Sequence, residues 1–220
     1  LFKKVAFFVK ELFLIELRCV FLENKLRIMT TQWLINEVAT ITEKNIQLLN
    51  AKFSKLSEAQ LNWKPSEEVW SIAEVFAHLN EYAVFYHNAL LTRIKLTKFR
   101  TPQLEFTSSP LGRSSWVSIK LGKEKNTKRK FSAPKLYDPS RTKSLLTGNE
   151  FAEFCSKQQE FLSIIEQSLQ INMRKVKVPI ALSKLIRFRL GDVLLFVAYH
   201  NERHMQQAIN ISKMSKFPKK

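Results

Sequence analysis

The chain has 220 residues, 36 basic against 19 acidic side chains for a formal net charge of +17, and 45% hydrophobic residues. That length suits one domain with a short extension, and only four glycines and seven prolines argue against a flexible low-complexity chain. The two cysteines, Cys19 and Cys155, form no disulfide framework and have no metal-site spacing, which points to a reducing, cytoplasmic setting.

Residues 1–28 are rich in apolar side chains but are interrupted by Lys10, Glu11, Glu16 and Arg18. The stretch is too broken for a membrane span and lacks a small-residue cleavage pattern. Phe7, Phe8, Leu12, Ile15 and Cys19 can share one helical face. Residues 1–28 are therefore expected to be an extension, either an extra amphipathic helix or sequence upstream of a natural start at Met29. The compact domain is expected over 29–213, followed by a basic tail at 214–220.

A first helix is predicted over 31–54. Trp33, Leu34, Val38, Ile41, Leu48 and Leu49 form its apolar stripe, with Asn45 as a polar interruption. The next stretch, SKLSEAQLNWKPSEEVW, reads as a linker with a short helical turn, because Pro65 disfavours helix at Lys64. Ser71-Ile-Ala-Glu74 has the spacing of a capping box and opens a second helix running to Leu96.

From Phe99 to Leu146 the periodicity fails. Pro102, Pro110, Pro134, Pro139, Gly112 and Gly122 mark a long irregular crossover, with Trp116 expected to pin it to the body and a short helical turn expected after Pro139 and Ser140. A third helix is predicted over 149–171 and a fourth over 189–213. The linker between them holds Pro179, and Val176–Ile180 is its main candidate for extended chain. Two short linkers and one long crossover between helices 2 and 3 describe an all-α four-helix bundle. There is no glycine-rich phosphate loop and no serine nucleophile elbow, so nucleotide and esterase readings lack support.

The histidines carry the chemistry. At about 100° per residue, His200 and His204 lie roughly 40° apart on a helix, and Gln207 falls within about 20° of His200. Val193 and Val197 precede them on nearly the same face, so the stripe points inward, where unpaired imidazoles are costly. His78 on the second helix can complete a set of three, a common protein contribution to a zinc or nickel site with open positions. A single histidine of this kind is more often a satisfied core or surface residue, and HNERH lacks the glutamate that follows the first histidine in the zincin motif. His87, nine residues after His78, faces about 180° away and is expected on the surface. Glu74, one turn before His78, can either enter the metal's hydrogen-bonded surround or serve the capping box.

Two segments together resemble the DinB-like superfamily of metalloenzymes (DinB/YfiT-like). In LNWKPSEEVWSIAEVFAHLNEY, residues 61–82, the resemblance lies in Trp63, Pro65, Ser66, Trp70, Ser71 and His78. In RFRLGDVLLFVAYHNERHMQQA, residues 187–208, it lies in His200, His204 and Gln207. KFSAPKLYDPS, residues 130–140, is also similar to crossover segments of that family. The resemblance covers residues 31–212. It implies an up-down-down-up bundle, a divalent metal (zinc or nickel) on His78, His200 and His204, and often a homodimer. Glu74 and Gln207 are the candidates to support those ligands. Members include bacillithiol S-transferases and a mycothiol-dependent maleylpyruvate isomerase, which implies a low-molecular-weight thiol as cofactor and a small electrophile as substrate.

The function expected is that of a metal-dependent enzyme, of thiol S-transferase or hydrolase type, with no catalytic residue assigned. Two alternatives stand beside it: a non-catalytic, metal-stabilised binding or stress-related protein, and a nucleic-acid-binding bundle exploiting the positive charge. The densest basic run, Lys120–Lys135, reads as a solvated loop; within it Lys128, Arg129 and Lys130 are candidates to hold an acidic thiol.

Overall fold

A computed structural model describes residues 28–122, 133–140, 146 and 148–219. Residues 1–27 and the basic run containing Lys128, Arg129 and Lys130 lie outside the described residues. Four long helices make the body: α1 (Thr31–Lys52), α3 (Ile72–Leu96), α5 (Glu150–Ser168) and α6 (Leu190–Ser212). Two shorter ones, α2 (Glu58–Asn62) and α4 (Pro110–Ile119), lie in the connections. Among the described residues there are also two small antiparallel pairs. β1 (Ile28–Thr30) joins β2 (Glu105–Thr107), and β3 (Lys177–Ile180) joins β4 (Ser183–Arg189).

Cap chemistry sets the helix starts. Thr30 accepts from the Trp33 amide at the head of α1, and Ser57 and Ser71 build reciprocal capping boxes with Gln60 and Glu74. The bundle's topology follows from which termini meet. Thr31, at the start of α1, donates its amide to the Leu104 carbonyl just beyond α3. The Asn172 amide, just beyond α5, donates to Phe99 O, and Leu190 at the head of α6 donates to Val176 O. One pole therefore holds the starts of α1 and α6 and the ends of α3 and α5. The order is up-down-down-up, with α1 and α3 each packed against both α5 and α6. Since α3 and α5 run parallel, the chain between them must travel the length of the bundle.

That crossover is more ordered than its prolines and glycines suggest. Ser109 caps α4 by accepting from the Gly112 amide, and Pro110 takes the first helical turn, where no amide is needed. The breakers are thus a helix start. Gly112 is required by packing, because a Cβ there would come within 2.3 Å of Asp192 Oδ2. Asp192 in turn accepts from the Ser109 amide and hydroxyl at 3.0 and 2.8 Å, tying α4 to the first turn of α6. Trp116 is buried against Tyr199, with ring centroids 5.9 Å apart. A 3-10 turn forms at Lys135–Tyr137, and the short turn expected after Pro139 and Ser140 falls on residues 141–145, which lie outside the described residues.

The extended stretch at Val176–Ile180 has a partner that periodicity did not reveal. β4 pairs Phe188 with Val178 and Arg187 with Pro179, then breaks register before Ser183. The tail beyond α6 docks on α2. Phe217 meets Trp63 edge to face at 5.5 Å, and Gln60 Nε2 donates to Pro218 O. Among the described residues, no helix is long and apolar enough to cross a membrane.

The core divides into two apolar clusters. One runs from Tyr82, Tyr86 and Leu90 of α3 to Leu194, Val197 and Tyr199 of α6. The other joins Val75, Phe76 and Leu79 to Phe154, Met205 and Ala208. Along both α3 and α6 the histidines fall at the seam between them.

Candidate metal centre

His78 and His200 are buried, at 2% and 8% exposure, and His204 is half-buried. Their ligand-capable nitrogens lie within 4.8 Å of one another. The Nε2 atoms of His78 and His200 are 3.4 Å apart. Nitrogens at about 2.0–2.1 Å from a tetrahedral zinc stand roughly 3.3 Å from each other. The donor set therefore fits a divalent cation, and the His78–His200 pair already stands at the spacing one needs.

Two of the rings are held in a defined tautomer. His78 Nδ1 lies 2.6 Å from the Tyr137 carbonyl, which can only accept, so Nδ1 carries the proton and Nε2 keeps its lone pair. His204 Nδ1 makes the same kind of bond to Gln207 Oε1 at 2.9 Å. Such partners orient an imidazole and leave its other nitrogen basic toward a metal. A facing pair of Nε2 atoms at 3.4 Å is repulsive unless a proton from His200 or a shared cation lies between them.

Burial keeps the rings neutral. It lowers the His78 pKa to about 4, against the opposing pull of the Tyr137 carbonyl and Asp138. His200 and His204 are lowered well below the ordinary value, first by burial and then by the neighbouring imidazoles. Neutral imidazole is the form that binds metal.

Aromatic rings wall the cluster. Trp70 stacks over His204 at 6.0 Å and meets His78 at 4.8 Å. Tyr82 stacks on His200 at 4.5 Å and touches Tyr137 at 4.6 Å, while Phe196 stacks on the same histidine at 5.6 Å. Burial raises the Tyr82 pKa, with Tyr86 and Tyr137 adding to it, so its hydroxyl stays protonated. Trp70, Phe196 and His204 are the part-exposed members of this arrangement.

The structure thus brings together His78, His200, His204 and Gln207. It does not bring Glu74 to them. One Glu74 oxygen accepts from the Ser71 amide at 2.7 Å and the other pairs with Lys64 Nζ at 2.9 Å, so the capping box is the role observed. His87 also differs from expectation. It faces away from the cluster, as its helix angle requires, yet it is 1% exposed. The reason is that α3 packs against α6 on one side and α5 on the other. His87 meets α5, where Nδ1 pairs with Glu160 at 2.9 Å and the ring stacks on Phe161 at 5.5 Å. Tyr137 had no signal in the sequence as a partner of His78, because its contribution is a backbone carbonyl from the crossover. Tyr82 and Phe196 were visible only as apolar positions, each four residues from a histidine.

A family model described as the DinB superfamily matches residues 41–208, a span that includes all three histidines and Gln207. The chain belongs to the DinB superfamily. Its relatives include the uncharacterized protein YuaE of Bacillus subtilis (strain 168), 27% identical over 158 residues, which cover 72% of this chain and 86% of YuaE. A solved structure of YfiT from Bacillus subtilis, described as a probable metal-dependent hydrolase with an unusual four-helix bundle topology, matches with a TM-score of 0.49 and 13% identity. That match covers 81% of this chain and 86% of YfiT. For this DinB-superfamily member, the three-histidine cluster is positioned to coordinate a divalent metal ion, consistent with a metal-dependent enzyme.

Proposed function

We propose that this protein is a divalent-metal-dependent enzyme of thiol S-transferase or hydrolase type, with zinc or nickel held by His78, His200 and His204. The observation that carries the reading is the convergence of three neutral imidazoles, two buried and one half-buried, with His78 and His204 each held in one tautomer by Tyr137 and Gln207. When bound, a divalent ion supplies the Lewis acidity that makes a nucleophile of water or of a low-molecular-weight thiol near neutral pH. Gln207 and Tyr137 orient the rings. Trp70 and Phe196 exclude bulk water from their faces. Tyr82, whose ring stacks on His200, keeps its hydroxyl protonated and able to donate a hydrogen bond.

Cys155 is free, half-buried and shifted toward its thiol form by burial, so it lends no support to a protein-bound thiol intermediate. The substrate class in this reading is a small electrophile, with an acidic thiol as cosubstrate and the basic crossover residues Lys128, Arg129 and Lys130 as its anchor. The proposal includes a homodimer in a reducing, cytoplasmic compartment.

The deciding experiment begins with metal content after native purification. Turnover is then measured on the metal-loaded protein with a panel of thiols and electrophiles, and with ester and amide substrates. One divalent ion per chain, lost in His200→Ala, together with turnover in either panel, supports the reading. Metal without turnover in any panel favours the non-catalytic, metal-stabilised alternative. Metal stoichiometry unchanged in His200→Ala refutes the ligand set.

A further inference from the structure

The positive charge is not evenly spread over the described residues. Residues 93–104 and 167–179 together hold seven basic residues and no acidic one. The two stretches are joined in space. The Asn172 amide donates to Phe99 O at 2.9 Å, and Lys98 Nζ and Lys175 Nζ sit 5.8 and 5.5 Å from the Phe99 ring. Arg100 folds back onto the Lys95 carbonyl. All of this lies at the pole where α3 and α5 end and α1 and α6 begin. Helix C-termini concentrate partial negative charge, so lysines and arginines in these last turns and the loops beyond them are well placed.

The same pole exposes leucine. Leu96, in the last turn of α3, is 72% exposed and Leu104, beside the head of α1, is 88% exposed. Ile28 on β1 adds a third apolar side chain at 58%. The acidic residue nearest to Leu104 in the chain is Glu105. The opposite end of the bundle differs. There Glu58, Glu67, Glu68, Glu74, Glu150 and Glu153 stand against Lys52, Lys55, Lys64, Lys213, Lys216 and Lys219, and the apolar Phe217 is packed on Trp63.

We infer that this pole docks on a bilayer surface containing anionic phospholipid. Lys98, Arg100, Arg174 and Lys175 face the headgroups, and Leu96 and Leu104 enter the interface. Charge complementarity selects the partner, since clustered lysine and arginine are drawn to the negative surface potential of such a membrane. The leucines separate a bilayer from a nucleic acid. A phosphate backbone gains nothing from exposed aliphatic side chains, and the aromatic ring at this pole, Phe99, is half-buried with two lysines over it rather than open for base stacking.

The test is co-sedimentation of the full chain with vesicles, either phosphatidylcholine alone or phosphatidylcholine with one quarter phosphatidylglycerol. At about 0.1 M salt, binding to the anionic vesicles only, weakening as salt rises, is the expected result. Charge reversal at Lys98 and Lys175 together lowers partitioning by at least roughly tenfold. Leu96→Ser with Leu104→Ser lowers it severalfold, with an unchanged circular dichroism spectrum and melting temperature. Equal binding to both vesicle types overturns the inference. So does binding that both variant pairs leave intact, which would place the contact on residues outside this pole. If the leucine pair has no effect and a short DNA duplex binds more tightly than the vesicles, the pole is a nucleic-acid face and the membrane assignment fails.

Discussion

Two buried histidine environments lie nine residues apart on α3. At His78, three imidazoles turn toward one another and are held from behind by a backbone carbonyl and an amide oxygen. At His87, the ring is paired with a partly exposed carboxylate and stacked flat on Phe161. Burial lowers the pKa of both. Burial alone therefore does not distinguish a ligand from a structural residue. What distinguishes them is the direction of the outward nitrogen. His78 Nε2 faces the Nε2 of a second imidazole, His200, whereas His87 Nδ1–H already has an anion and its Nε2 meets only protein interior.

The sharpest way to break this comparison is to remove one ring from each environment. His200→Ala should reduce bound metal from one equivalent to nearly none by elemental analysis, because two imidazoles rarely retain an ion against competing solvent. His87→Leu should leave the stoichiometry untouched. A reversed result would show that the two environments have been misassigned.

Acid should separate metal-free from loaded protein next. The folded pKa of His78 is about 4 against 6.5 for the free side chain, so between these values the unfolded chain takes up a proton that the folded chain does not. Stability of the metal-free form is fully present above about pH 6.5 and is lost as pH falls toward 4, on the order of 3 kcal/mol for His78. His200 and His204 act in the same direction. Urea midpoints measured from pH 7.5 downward should show this slope, reduced in His78→Gln. Metal affinity should fall through the same window.

Gln207→Ala tests the support behind a ligand. It should weaken metal binding by roughly 10–100-fold in a chelator competition and leave the fold intact. His87→Leu should cost about 2 kcal/mol of stability in chemical denaturation, from the lost bond to Glu160 and an imperfect fit on Phe161. The smallest effect belongs to Glu74→Ala. It should cost about 1 kcal/mol through the capping box and the Lys64 pair and should not change metal affinity. A large affinity loss there would return Glu74 to the metal's surroundings.

The sequence made the four long helices legible because each buries a stripe whose 3.6-residue period survives in the pattern, as in Leu34, Val38 and Ile41 of α1. Ser71 and Glu74 marked a helix start by chemistry specific to that position. The cluster was legible for a similar reason, since His200, His204 and Gln207 are related by helix geometry alone. Legibility failed where a feature depends on a partner far along the chain. α4 was hidden because Gly112 looks like a breaker until Asp192 is seen to occupy the space its Cβ would need. β4 was hidden because its pairing with β3 breaks register at Ser183. The burial of His87 was hidden because helix angle gives a direction, not what lies there.

The cluster's geometry also has a consequence in time. His78 and His200 are separated by 122 positions along the chain, and the carbonyl that orients His78 comes from the crossover between them. A growing chain that ends before α6 carries only one of the three imidazoles and has no way to chelate. Contacts at such long range close late, after loop-closure entropy has been overcome. An ion captured by this cluster therefore acts on a bundle that is already assembled. It slows unfolding rather than nucleating folding, and its presence on the protein reports that α6 has packed against α3.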